Sequence, residues 1–346
     1  MHLKKLTELN GVSGYERKVR EFIRERIKDS VSGLEEDALG NLIVWKRGKN
    51  KKRLMLCAHI DEVGFMVSNI EEDGRLSVIP MGGIDLRAVV GKKVVIGEKE
   101  VPGIIGYKAI HLQKGDCLTP PSIENIKIDI GATKKSDAEN KVKVGDPVAF
   151  STSSIINNEW ITGKALDDRG GCSILIDLIE SNIEPYYDTY FVFSVQEELG
   201  LRGAGVAAER VEPDFAIVVE TTTSGDNPEF PVSRRSTELG KGPAISPAHT
   251  GYVIDEGLFN WVLLNAREIG APYQIKRRTV GGTDARRIAT TLNGIPSAVI
   301  SIPARYIHSP ASIINLKDYE NTLKLIATLL TKEVKDERTY QNTYPD

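Results

Sequence analysis

Histidines and carboxylates follow the apolar runs of this chain. Leu54–Ala58 leads into His59, Asp61 and Glu62, and Phe191–Val195 leads into Gln196, Glu197 and Glu198. Phe215–Val219 leads into Glu220, and Ser297–Ser301 into a loop carrying His308, Ser309 and Pro310. A further acidic pair, Asp167 and Asp168, stands ahead of Arg169, Gly170 and Gly171, where a loop meets a helix start. Imidazole and carboxylate are the ligands of a borderline divalent cation such as Zn²⁺, Co²⁺ or Mn²⁺. Five or six such donors are too many for one tetrahedral ion. They suit two ions bridged by one carboxylate, about 3.5–4 Å apart as in two-metal hydrolases. Amide hydrolysis needs a nucleophile, a polarised carbonyl and a proton for the leaving amine. A metal that lowers the pKa of its water to about 7 supplies the nucleophile, and a carboxylate beside it moves the proton.

These residues can meet only if the strands ahead of them share one sheet edge. In open α/β sheets, ligands bind outside the carboxyl ends of the strands. Helices are expected after Asp168, around 203–209, over 257–268 and over 316–334, in alternation with the strands. Near the N-terminus Ser13–Glu16 has the S-x-x-E form of a capping box, ahead of Val19, Phe22, Ile23 and Ile27 at helical spacing. Residues 41–45 and 53–58 read as strands joined by a hairpin turn through the basic stretch 46–52. From 67 to 161 short β-type runs dominate (76–79, 88–90, 93–96, 101–105, 126–130 and 147–150), punctuated by Gly, Pro and Asp. The expected fold is α/β, a mixed sheet with helices on both faces. Residues 1–66 and 162–346 form its catalytic domain, and 67–161 a small inserted β-barrel or sandwich. Short strands would leave exposed edges in that insert, and proteins pair or cover such edges.

With 346 residues the chain is long enough for two domains, and its composition is that of a globular protein. Lys and Arg total 45 against 48 Asp and Glu, a net charge of −3, which weighs against nucleic-acid and anionic-membrane partners. No apolar run is long enough to span a bilayer, and no signal-peptide core opens the chain. Cys57, Cys117 and Cys172 are scattered, form no disulfide framework, and suit a reducing cytoplasm.

Five stretches, 58–65, 165–171, 196–200, 281–285 and 307–310, resemble the tetrahedral (TET) aminopeptidases, a family of dinuclear-metal peptidases. Gly240–Ile245 also looks like a motif of that family. The resemblance runs from Ser13 to Pro310, with the motifs in the family's order. It implies a metal-dependent aminopeptidase acting on short peptides, with two divalent ions, Zn²⁺ or Co²⁺, per subunit. Asp167 would bridge the ions, His59 and Glu220 would complete one, and Glu198 and His308 the other. Glu197 would be the general base, and Asp61 would hydrogen-bond the free nitrogen of His59. Gly282, Thr283 and Asp284 would contact substrate. The family also implies a cytoplasmic homo-oligomer, in which the insert makes dimers and the dimers build a dodecamer around a chamber. The sequence departs from the family at Glu220, where Asp is more usual, and at Arg286–Arg287, where smaller residues are common.

Other readings of the same residues compete. Glu197–Glu198 invites an endoglucanase-like glycosidase, a label carried by relatives of the family. Neighbours on an extended segment point to opposite faces, however, whereas glycosidase carboxyls flank one bond at about 5–5.5 or 6.5–9.5 Å. A dinuclear-metal deacylase or carboxypeptidase is a closer rival. A metal-binding scaffold would not need Glu197 beyond its ligands. His2, His111 and His249 read as core or surface residues, Asp168 as a helix N-cap or partner of Arg169, Glu62 as a second acid or turn residue, and Ser151–Ser154 as a polar loop. No nucleophile elbow or P-loop is present.

Overall fold

A computed structural model describes residues 2–108, 120–278 and 281–334; His111 and Cys117 lie outside them. Helices α1 (Leu3–Glu8) and α2 (Arg17–Ile27) open the chain. Val19, Ile23 and Ile27 form the buried stripe of α2, but no capping box starts it. The Ser13 hydroxyl donates to the Asp61 carboxylate instead. Glu16 Oε1 accepts the N–H of Gly14 at 2.6 Å and that of Gln196 at 3.2 Å. Tertiary partners have taken both ends of the apparent box.

Strands β1 (Gly33–Glu36), β2 (Leu42–Lys46) and β3 (Asn50–His59) follow, then β4 (Gly64–Ile70), β5 (Leu76–Met81), β6 (Lys93–Ile96), β7 (Val101–Gly106), β8 (Lys127–Asp129), the short helix α3 (Lys135–Glu139) and β9 (Pro147–Phe150). Next come β10 (Ile155–Ile156), β11 (Trp160–Gly163), α4 (Leu166–Glu180), β12 (Tyr187–Ser194), α5 (Arg202–Val211) and β13 (Phe215–Thr223). The two-residue strands β14 (Ala244–Ile245), β15 (Ala248–His249) and β16 (Tyr252–Val253) precede α6 (Glu256–Glu268) and β17 (Gln274–Ile275). The chain closes with α7 (Asp284–Ala289), β18 (Ser297–Arg305), β19 (Ser312–Asn315) and α8 (Leu316–Leu330).

The large sheet is mixed, in the order β1-β2-β12-β3-β13-β18-β19-β11-β10. Its centre, β12-β3-β13-β18, is parallel throughout. Continuous apolar runs such as Leu54–Ala58 and Phe215–Val219 are buried there, as a sheet covered on both faces requires. Helix α4 packs on β3 and β13, with α1, α2 and α8 against it, while α5 and α7 pack together over β12, β3 and β13. The expected hairpin between β2 and β3 does not form, because β12 lies between them, antiparallel to β2 and parallel to β3. Asp188 holds the intervening turn to β12: its carboxylate accepts the Gly48 N–H at 2.7 Å and pairs with Arg47 at 3.0 Å.

Strands β4 to β9 close into a barrel, β4-β5-β8-β7-β6-β9. It has its own core, in which Phe65, Val67, Leu76, Ile96, Ile128, Val148 and Phe150 are buried. Phe65 and Phe150 meet edge to face with ring centroids 5.9 Å apart. Ala88, expected in a strand, ends a 3₁₀ turn over Leu86–Ala88, capped by Asp85 accepting the Arg87 N–H. Residues 155–156 and 160–161, assigned to the insert from sequence, pair instead in the large sheet, in β10 and in β11 beside β19. Closure of the barrel removes the exposed edges that the short strands suggested. Among the described residues no helix is long and apolar enough to cross a membrane.

Candidate metal centre

The parallel centre of the sheet brings four carboxyl ends to one edge. Ser194 of β12 pairs with His59, the last residue of β3, and Glu220 of β13 pairs with Ser301 of β18. Glu197 and Glu198 lie just beyond β12, and His308 just beyond β18. Asp167 comes from the start of α4, where Asp167 and Asp168 have non-helical torsions. Its two oxygens face two imidazoles: Oδ1 is 3.3 Å from His59 Nε2, and Oδ2 is 3.4 Å from His308 Nε2. Glu220 Oε1 is 3.4 Å from His59 Nε2, and Glu198 Oε1 is 3.2 Å from His308 Nε2.

The chemistry of this donor set fits divalent metal. The four N···O separations are long for charge-assisted hydrogen bonds, which run to about 2.7–2.9 Å. They match the edge of a tetrahedron of about 3.3 Å built on metal–ligand bonds of about 2.0–2.1 Å. Burial, with the Asp167 carboxylate adding to it, pushes Glu220 up to about 8 despite His59. Burial likewise raises Glu198 to about 7 against the pull of His308. Burial works against the charge of His308, but Asp167 and Glu198 outweigh it and hold that imidazole at about 9. Carboxylates gathered this closely repel one another, and divalent cations relieve the repulsion.

Behind the cluster Asp61 is fully buried. Its oxygens accept the backbone N–H of Glu197 at 3.0 Å and of Glu198 at 3.1 Å, as well as the Ser13 hydroxyl. Asp61 Oδ1 lies 3.2 Å from His59 Nδ1, in ion-pair contact but not aligned as a hydrogen bond. One carboxylate therefore holds the loop of Glu197 and Glu198 and the N-terminal segment, and stands against His59.

Glu197 and Glu198 do not point to opposite faces as the extended segment would have them. β12 ends at Ser194, and Gln196 takes a left-handed φ of 54°. The loop turns both carboxylates inward, so that His59, Glu197 and Glu198 each place a donor atom within 4.8 Å of the others. Both acids line a cavity of about 980 Å³, with His59, Asp167, Glu220 and His308 in its walls. Gly282 and Thr283 also line it, but Asp284 lies behind the lining, buried, where it accepts the Ser194 hydroxyl at 2.5 Å. Burial raises Asp284 to about 6.

Sequence reasoning underrated three residues. Asp168 is fully buried; it caps the helix by accepting the Gly171 N–H at 2.9 Å, and it stands with His59 and Glu220 as a possible ligand triad. Arg169 turns instead to the carbonyls of Leu6 and Ile60. Glu62 is no turn residue: it is buried and takes both 2.6 and 2.7 Å contacts from Lys164 Nζ. Ser13 carried a signal, its match to the start of the family pattern, but its role was masked by the capping-box form.

Residues 40–325 match the model of the M42 glutamyl aminopeptidase family. The chain belongs to that family. It is a peptide hydrolase with an M42 fold. The glutamyl aminopeptidase of Lactococcus lactis is 33% identical over 346 aligned residues, covering 96% of each chain. The TET aminopeptidase of a marine sediment Thaumarchaeota archaeon superposes with a TM-score of 0.92 at 36% identity, covering 95% of both chains. The TET1 peptidase of Pyrococcus horikoshii, which can assemble into a tetrahedron or a large octahedral shell, has a TM-score of 0.85 at 33% identity, covering 96% of this chain and 98% of that one. A Thermotoga maritima structure described as an endoglucanase has a TM-score of 0.81 at 47% identity, covering 96% and 97%.

Proposed function

We propose that this M42 peptidase is a two-metal aminopeptidase that removes N-terminal residues from short peptides, with Glu197 as general base. Asp167 carries the reading: it turns one oxygen to each of two imidazoles, and each imidazole has a further carboxylate of its own. His59 and Glu220 would hold one ion, and His308 and Glu198 the other; Zn²⁺ and Co²⁺ suit these donors. When bound, such ions supply Lewis acidity and a water acidified to a pKa of about 7.

The chain's own residues do the rest. Burial raises the proton affinity of Glu197 well above that of an ordinary carboxylate, although His59 opposes the shift. That favours accepting a proton from water and passing it to the leaving amine. Asp61 fixes the backbone of the same loop. The cavity admits a peptide end but no folded domain. Gly282 and Thr283 line the substrate's path, with Asp284 supporting them from behind.

The barrel is assigned to dimerisation, and the dimers to a dodecamer like the tetrahedral assemblies of relatives. Exposed Ile79, Ile104 and Val144 on the barrel segment support that reading. Free, buried Cys57 and Cys172 accord with a cytoplasmic enzyme. The endoglucanase reading leaves the two imidazoles among the carboxyls without a role. The test is a leucine-initiated peptide with a free or an acetylated amine, run beside carboxymethylcellulose after loading with Zn²⁺ or Co²⁺. Hydrolysis of the free peptide alone is expected. Equal cleavage of the acetylated peptide would indicate a deacylase or carboxypeptidase, and release of reducing sugar a glycosidase.

A further inference from the structure

The cavity is lined by two kinds of group. One is the cluster of imidazoles and carboxylates. The other is a set of cations, Lys276, Arg286 and Arg287. Lys276 is buried deep in the wall, within electrostatic reach of Glu220 and Asp167. Arg286 and Arg287 lie on α7 and are exposed at the mouth.

The two arginines differ from those around them. Arg235 pairs with Glu238 at 3.0 Å, Arg277 reaches the same carboxylate at 3.6 Å, and Arg305 pairs with Asp226 at 2.7 Å. No carboxylate among the described residues lies within ion-pair distance of Arg286 or Arg287. Both are nonetheless seated. Arg287 lies across Gly205, where a β-carbon would come within 2.6 Å of its Nε. Arg286 lies across Gly251, where a β-carbon would come within 3.1 Å of its Nε and Cζ. Their helix is tied to the centre at its first residue, because Asp284 accepts the Ser194 hydroxyl.

The direction of the substrate decides what these cations meet. An aminopeptidase holds the amino end of its peptide at the centre of the site, so the chain beyond the scissile bond must leave through the mouth. We propose that Arg286 and Arg287 bind carboxylates on that leaving side, and that the enzyme selects peptides acidic after their first residue. This rests on the aminopeptidase reading. Guanidinium groups suit the role because their planar forks match carboxylates. The carboxylate can come from Asp or Glu side chains at the second and third positions, or from the free C-terminus of a very short peptide.

The experiment compares C-terminally amidated tetrapeptides that all begin with leucine and carry paired glutamates, glutamines or lysines at the second and third positions. The metal-loaded enzyme is expected to favour the glutamate over the glutamine peptide about tenfold in kcat/KM at low salt, the scale of two partly exposed ion pairs. The preference should shrink as ionic strength rises. In the Arg286→Gln, Arg287→Gln double variant the ratio should fall to about one. A ratio needs no correction for the amount of folded protein, and the salt dependence of the unmodified enzyme is an independent reading. A leucine dipeptide with free or amidated C-terminus separates the terminal carboxylate from side chains. Equal rates on all three tetrapeptides, a preference that survives in the double variant, or selectivity confined to the first residue on p-nitroanilides would overturn the proposal. Failure to cleave any free-amine peptide would instead overturn the aminopeptidase reading.

Discussion

Glu197 and Glu198 are adjacent in sequence but differ in their partners. Glu198 reaches His308 at 3.2 Å, whereas Glu197 makes no ion pair with that imidazole. Glu197→Gln should therefore keep metal and lose about 10²–10⁴ in kcat. Glu198→Gln should lose metal from the His308 side. Metal analysis beside steady-state kinetics checks both, and exchanged behaviour would reverse the assignments. The candidate donors could be picked out because each follows an apolar run or stands at a helix start. Ser13 was not, because its partner Asp61 is far along the chain and local spacing imitates a cap. His249 shows what a histidine outside the site does. It is buried, neither ring nitrogen has a hydrogen bond, and burial, with the charge of Lys276, lowers it from 6.5 to about 3. Its contribution to stability is complete above pH 6.5 and is lost as the unfolded chain takes up a proton below it. The slope is about 1.4 kcal/mol per pH unit down to the folded pKa. The difference in urea-unfolding stability between the unmodified chain and His249→Asn, followed from pH 7 to 5, should show this slope.

Element order explains both what could be read and what could not. Strand type and the shared edge followed from apolar runs ending in chemistry-bearing residues, and the parallel β12-β3-β13-β18 centre has that edge. Pairing partners were harder to read. β2 and β3 look like a hairpin until β12 is inserted between them from more than a hundred residues away, and no local pattern encodes that insertion. The same limit hid the entry to α2, whose apparent cap serves the site. Ser13→Ala removes one donor from buried Asp61. It should cost about 1–3 kcal/mol of stability and weaken metal binding about 10–100-fold, as loss of outer-shell support does. Ser13→Thr should restore most of the metal affinity. Unchanged affinity in the alanine variant would confine Ser13 to a packing role.

The whole molecule joins the sheet that carries the candidate metal centre to a closed barrel with its own core. The barrel was legible from the change in texture after β3, but its closure was not, since short strands alone do not say whether a sheet has ends. Among the described residues the barrel has no open edge to pair, so assembly through it would use exposed side chains. Light scattering should report a dodecamer of the full chain, and Ile104→Asp with Val144→Asp should shift it toward smaller species that still cleave short peptides. A full-length monomer active on peptides at micromolar concentration would remove the chamber from the account and leave the metal chemistry standing. The claim on which everything else depends is that Asp167 joins two metal ions in one hydrolytic centre. Chelated protein titrated with Zn²⁺ or Co²⁺, with bound metal and peptide cleavage followed together, tests it most directly. The expected result is no activity at zero metal, two ions bound per chain at full activity, and loss of both in Asp167→Ala. Full cleavage by demetallated protein, or saturation at a single ion per chain, would contradict it.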